Sequence, residues 1–153
     1  MFDVVLTPAE RALLQALNAL GIPYLIVGMG AALIGGAPGT TQDIDLWFGS
    51  IDGQRLSEAA QRAGAAYTSG FGVQPQGFAG HGLDRIDIVL TASGLDRFDR
   101  ELAGAVDYVL DEVPVKVLPL DRVIVSKRAA KRAKDTAQLP MLEAALAALQ
   151  SRR

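Results

Sequence analysis

The sequence predicts an α/β fold of the α+β kind, a mixed β-sheet flanked by helices with a helical C-terminal part, and three observations carry that expectation. An apolar run, Ile22-Pro23-Tyr24-Leu25-Ile26-Val27, meets Gly28 and Gly30 and passes into an alanine-rich segment ending near Ile34, the pattern of a buried strand turning into a helix. Asp43-Ile44-Asp45-Leu46 and Arg85-Ile86-Asp87-Ile88-Val89-Leu90 alternate charged and apolar residues at the period of two that a half-buried strand imposes. From Asp121 onward the pattern is helical.

The elements follow in order. Thr7-Pro8-Ala9-Glu10 reads as a helix start, with Thr7 as N-cap and Pro8 in the first position. Leu13, Leu14, Leu17 and Leu20 form its apolar stripe, and Gly21 ends it. A buried strand at 23–28, a short helix to about 34, the loop Gly35-Gly36-Ala37-Pro38-Gly39 and a strand at 43–48 come next. A helical pattern covers 52–63. Strands are expected at 66–73 and 83–90, separated by a turn around Gly80-His81-Gly82. Two short strands at 106–110 and 115–118 are joined at Asp111-Glu112-Val113-Pro114. Asp121 is placed as a cap near the start of a helix through 131, and Pro140 where a last helix at 141–150 begins. No repeat or long linker divides the chain, so residues 1–153 read as one domain.

With 153 residues, half of them hydrophobic and 21% charged, the chain can bury a real core, which excludes disordered and fibrous classes. No apolar run reaches the roughly 18 to 20 residues of a membrane helix. Met1-Phe2-Asp3-Val4-Val5 lacks the basic and long apolar regions of a secretory signal, so the expected location is the cytoplasm, away from membranes. Zero cysteines exclude disulfides and thiolate sites. The net charge of −2 hides an asymmetry: residues 1–115 carry 6 Lys+Arg and 14 Asp+Glu, whereas residues 116–153 carry 9 Lys+Arg and 3 Asp+Glu. Either the basic part faces an anionic substrate or the two parts neutralise each other within the fold.

The acids carry the chemistry. Asp43 and Asp45, two apart on a strand, share one face, and Asp87 joins it if its strand is a neighbour. Three like charges so close repel unless a cation lies between them, and hard oxygen ligands suit Mg²⁺ or Mn²⁺, which complete their shells with water and substrate phosphates. The simpler readings are solvent-facing strand ends for Asp43 and Asp45 and an ion pair with Arg85 for Asp87. Gly28 and Gly30 let a backbone turn tightly and bring N–H groups near a phosphate at a helix start, or they form only a turn with Met29 as a core plug.

This combination resembles the nucleotidyltransferase superfamily with the DNA polymerase β-like palm fold, and within it the small AbiEii-type toxins and minimal nucleotidyltransferases. The residues that carry the resemblance are Val27-Gly28, Ala31, Thr41, Asp43-Ile44-Asp45-Leu46 and Asp87. Leu120-Asp121-Arg122-Val123-Ile124, Lys127, Arg132, Lys134-Asp135 and Gln138-Leu139 support it, so that it spans about 22–149. The resemblance implies transfer of a nucleoside monophosphate from an NTP to a hydroxyl of RNA, protein or a small molecule. It implies Asp43, Asp45 and Asp87 as metal-binding and catalytic acids, with Asp87 helping to deprotonate the attacking hydroxyl. Gly28, Met29 and Gly30 would line the nucleotide phosphates, with Lys127 and then Arg132 as cationic contacts. A toxin–antitoxin or phage-defence role with a cognate toxin or antitoxin belongs to the same implication.

Two positions depart from the family pattern: Met29 stands at the Gly-or-Ser position, and Gly39 where many relatives carry arginine. They support an alternative, a catalytically silent member that binds a nucleotide or a partner. A nucleic-acid-binding module built on the basic C-terminal helix is the third reading. Asp135 reads as a helix cap, the lone His81 as incidental, and Trp47 and Phe48 as a buried strand end before a stacking surface for a base.

Overall fold

The first helix starts as its sequence dictates. In the computed structural model, which describes residues 5–152, Thr7 Oγ1 accepts the Glu10 N–H at 3.0 Å and Glu10 Oε1 accepts the Thr7 N–H at 2.8 Å, a reciprocal cap ahead of α1 (Pro8–Ala19). Met1 to Val4, part of the segment read above for targeting, lie outside the described residues. The chain continues through β1 (Leu25–Val27), α2 (Gly28–Ile34), β2 (Ile44–Trp47), α3 (Gly53–Arg62), β3 (Ala66–Thr68), β4 (Gly77–Ala79) and β5 (Ile86–Val89). It ends with α4 (Phe98–Ala103), β6 (Val106–Leu110), β7 (Val113–Val117), α5 (Leu120–Ala130) and α6 (Ala133–Gln150).

Five strands form one mixed sheet in the order β5-β2-β1-β7-β6. β2 runs parallel to β5 and β1 parallel to β7, whereas β1–β2 and β6–β7 are antiparallel. β3 and β4 pair separately as a hairpin. The core gathers Leu13, Leu14 and Leu17 of α1 with Leu25, Ile26, Leu46 and Val113 of the sheet, all without exposed surface. α1 packs on α3 and β7, and α5 on α2 and α6. The expected α+β architecture is the observed one. No helix among the described residues is long and apolar enough to cross a membrane.

Several boundaries differ from expectation for identifiable reasons. The strand expected at 66–73 stops at Thr68, because Gly70 and Gly72, both at positive φ, turn the chain back into β4, which the sequence pattern did not announce. The six-residue α4 was too short to show a period. The β6–β7 turn is only Asp111-Glu112, both at positive φ (46° and 72°), as a tight hairpin requires. Val113 and Pro114 therefore belong to β7. β1 meets β7 only at Val117, so at Pro114 one side of the strand has no ladder and the missing N–H is tolerated. Asp121 sits inside the first turn of α5, whose N-cap is Pro119, and acts on the helix dipole without capping it. Pro140 lies inside α6. A mid-helix proline costs about 3 kcal/mol, which the burial of Leu142 and the packing of Leu139, Met141, Leu146 and Leu149 against the core offset.

Candidate functional site

β2 and β5 run side by side with Asp45 directly beside Asp87, and β1 places Val27 beside Asp45 on the other flank. Paired residues on adjacent strands present their side chains to the same face. Asp43 lies one residue before β2, its N–H bonded to Thr41 Oγ1 at 3.2 Å and its carbonyl accepting the same hydroxyl at 3.2 Å. Asp43 and Asp87 are exposed and Asp45 is half-buried. The Asp45 carboxyl is pushed up to about 6, first by burial and then by the charges of Asp87 and Asp43, while Lys134 and Lys127 pull it back. Asp87 is raised too, by burial and then by Asp43, against Lys134. The three acids therefore share one electrostatic field, as the period-two pattern predicts.

Arg85 does not pair with Asp87. Its Nε and Nη2 reach Glu10 Oε2 and Oε1 at 2.9 and 2.6 Å, and Nη2 also donates to the Val5 carbonyl at 3.1 Å. Glu10 has no exposed surface, so Arg85 is held on the α1 side by a buried carboxylate. Among the described residues, Asp43, Asp45 and Asp87 make no salt bridge.

Gly28 is required twice over. Its φ of +68° lies where a side chain is strained, and a Cβ there would stand 2.6 Å from Asp45 Oδ2. It opens α2, whose N-cap, Val27, supplies no side-chain bond to the first-turn N–H groups. Gly30 is different: it is buried, at ordinary φ, and a Cβ would meet nothing closer than the Asp43 carbonyl at 3.5 Å. Met29 is half-buried and packs against the core, the plug that its position suggests.

The basic residues divide into paired and unpaired. Lys127, nearly buried, donates to Asp135 Oδ1 at 3.2 Å, and Arg132 donates from Nε and Nη2 to the same carboxylate at 2.7 and 3.1 Å. Asp135 also accepts the Arg132 N–H at 3.3 Å, the capping role that the sequence predicts. Burial works against its charge, but the bonds from Arg132 and Lys127 outweigh it and hold the carboxyl below the usual range. Elsewhere Arg122 pairs with Glu101 and Lys116 with Asp107 across the acidic and basic parts of the chain, whereas Arg128 pairs with Glu143 within the basic part, so that only some of the charge asymmetry is neutralised by ion pairs. Lys134 differs from Lys127 and Arg132. It is exposed, has no ion-pair partner among the described residues, and acts on both Asp45 and Asp87. The only signal for it was its place in the Lys134-Asp135 pair, because the break between α5 and α6 hides which residue of the basic run faces the acids.

His81 lies exposed in its turn and lines a cleft with Thr7, Ala12 and Arg62 that contains none of the three acids. Trp47 is buried, donating Nε1–H to the Leu90 carbonyl at 3.2 Å with its ring edge-on to Phe98 at 5.3 Å, and Phe48 is buried as well, so neither offers a stacking face. The large clefts, of about 600 and 650 Å³ around Ile22, Pro23 and Leu102, lie at the other end of β1 and contain none of the three acids.

The donor set suits a hard divalent cation: all its ligands are carboxylate oxygens, and their mutual repulsion is what such an ion relieves. Among the described residues no three acidic or histidine side chains are already drawn together around one point. Mg²⁺, which takes one or two carboxylates and completes its shell with water and substrate phosphates, does not need them to be.

No protein-family model and no curated protein matches the chain. Solved structures share its fold, among them two of one protein. The solution structure of the antibiotic-resistance factor ANT(2'')-Ia matches with a TM-score of 0.56 and 16% identity, over 94% of this chain and 90% of that one. The crystal structure of ANT(2'')-Ia with adenylyl-2''-tobramycin matches with a TM-score of 0.53 and 16% identity, over 92% and 94% of the two chains. These neighbours are nucleotidyltransferases, and the fold of this chain is the nucleotidyltransferase-like one.

Proposed function

We propose that this protein is a metal-dependent nucleotidyltransferase that moves a nucleoside monophosphate from an NTP to a hydroxyl acceptor. The observation that carries the reading is the alignment of Asp45 with Asp87 on adjacent parallel strands, with Gly28 pressed against the Asp45 carboxylate. Asp43 and Asp45, with Asp87, would hold Mg²⁺ or Mn²⁺, an ion that neutralises triphosphate charge and polarises the α-phosphate when bound. Asp87, the exposed acid whose carboxyl is raised, takes the proton of the acceptor hydroxyl. The hydroxyl oxygen bonds to the α-phosphorus, the bridging bond to the β-phosphate breaks, and pyrophosphate leaves. The first turn of α2 from Gly28 through Met29 to Gly30 lies beside the phosphates, and Lys127, Arg132 and Lys134 balance their charge.

The acceptor is a hydroxyl of a small molecule, RNA or protein. The adenylyl-tobramycin in the structural neighbour makes small polyhydroxy acceptors the first to test. The reaction is placed in the cytoplasm, and the resemblance to AbiEii-type toxins adds a toxin–antitoxin or phage-defence setting. Growth arrest on induction, relieved by a co-expressed cognate partner, tests that setting.

The chemical test is pyrophosphate release from each NTP in the presence of Mg²⁺ or Mn²⁺ with graded acceptors, together with an acceptor mass gain of one nucleotidyl unit. The reading expects both in wild type and neither in Asp87→Asn. Met29 and the absence of a preassembled three-acid cluster among the described residues favour a second reading, a silent binder. It predicts NTP binding without pyrophosphate under every condition.

A further inference from the structure

α5 ends at Ala130 with Lys131 as its C-cap, held in the left-handed region at φ +57°, and α6 begins at Ala133, so the chain redirects within two residues. Asp135, with no exposed surface, sits one turn into α6 and gathers donors from both sides of this break. Of its four bonds, one is the cap on the Arg132 N–H. The other three go to Lys127 Nζ and to Nε and Nη2 of Arg132, and capping needs none of them.

Nor does stability explain the buried Lys127–Asp135 pair, to which the exposed Arg132 adds its two bonds. Two buried opposite charges cost solvation that their attraction barely recovers, and an apolar pair of similar volume often does as well. What the arrangement supplies is geometry. A flexible four-carbon stem and a planar guanidinium are each fixed in one orientation by a single buried carboxylate. Both cations interact with the same acid, Asp45. Lys134, on the same turn as Asp135, is left unpaired among the described residues and acts on both Asp45 and Asp87.

We propose that Asp135 is a positioning residue for anion binding: by bonding Lys127 and Arg132 at the α5–α6 break it holds both cations in the orientation that receives the triphosphate. The inference rests on the nucleotidyl-transfer reading and names how that site is organised. Asp135 is buried and paired, so it acts without touching the nucleotide.

The test uses the full chain and inorganic tripolyphosphate as the probe, titrated calorimetrically in the presence of Mg²⁺. Asp135→Asn is expected to weaken binding about 10- to 100-fold, the loss associated with a charge-assisted interaction. In a Lys127→Met/Arg132→Ala background the same change is expected to add less than about twofold, because the groups it acts through are gone. Unchanged affinity of Asp135→Asn, or the same loss persisting in that background, overturns the proposal. Where Asp135→Asn does not fold, Lys127→Met/Asp135→Leu fills the buried pair with apolar groups and leaves Arg132 unanchored. That variant should bind tripolyphosphate weakly and lose the slowly exchanging Arg132 Nε–H resonance, and wild-type affinity in it refutes the idea. Folded wild type that binds neither tripolyphosphate nor any NTP overturns the nucleotidyl-transfer reading and this proposal together. Wild-type binding with an unaffected Asp135→Asn overturns the proposal alone.

Discussion

Replacing Gly28 by alanine perturbs the site at one defined contact. The backbone there has φ +68°, and an L residue in that region costs about 1–2 kcal/mol. The new Cβ would also lie 2.6 Å from Asp45 Oδ2, so the carboxylate must retreat toward the 3.4 Å at which such contacts become ordinary. Because that oxygen is the end of a half-buried side chain that can turn aside, the added cost is about 1 kcal/mol, the low end for overpacking. Gly21 provides the control, since its φ is +67° and nothing lies within 4 Å of a Cβ there. Gly21→Ala should therefore cost only the backbone term of about 1–2 kcal/mol, and Gly28→Ala should exceed it by the overpacking term. Urea unfolding measures both, with equal m-values required for the comparison. In a Gly28→Ala/Asp45→Ala double variant the excess should disappear, because the carboxylate that the Cβ strikes is gone. Equal destabilisation by Gly21→Ala and Gly28→Ala, or an excess that survives removal of the Asp45 side chain, would refute the reasoning.

Three further outcomes are expected. Because the folded state raises the Asp45 carboxyl from 3.8 to about 6, ionising it destabilises the fold, and the penalty grows as pH rises through that interval. Asp45→Asn should thus be about 1–2 kcal/mol more stable than wild type at pH 7–8 once solvent screening is allowed for, nearly equal to it below pH 3.8, and closer to it at neutral pH when Mg²⁺ is added; pH-dependent denaturation measures this. Glu10→Ala strands Arg85 and removes half of a helix cap, a loss of about 3–5 kcal/mol, whereas Glu10→Leu/Arg85→Met should recover most of it with NTP affinity unchanged. The Arg122 guanidinium holds Glu101 below its ordinary value of 4.5, despite burial, so its contribution is full above that value and fades as pH falls further. Acid titration of stability in Glu101→Gln should be correspondingly shallower than in wild type.

The acids were legible because their signal is local: two aspartates around a buried isoleucine fix a face, and the repeated Asp-Ile pattern at Asp87 fits a parallel neighbour. The helix start at Thr7 was legible for the same reason, its partners being three residues apart. Arg85 was not, since the Glu10 that claims it lies 75 residues away and nothing near Arg85 announces it. Asp135 read correctly as a cap, but its hold on Lys127 depends on where α5 stops, which the left-handed Lys131 decides. The same break hides that Lys134 is left without an ion-pair partner among the described residues. Pro140 and Pro114 misled in the opposite direction: each is a strong local punctuator overridden by packing or by an unpaired strand side that only the fold creates.

The central claim is that Asp43 and Asp45 hold a metal for a bound nucleotide. Calorimetric titration of each of the four NTPs, with Mg²⁺ or Mn²⁺, into wild type and Asp43→Ala/Asp45→Ala tests it most directly. Metal-dependent binding of at least one NTP to wild type, lost in a folded double variant, is the predicted result. Folded wild type that binds no NTP with either metal, or binding that the double variant retains in full, would contradict it.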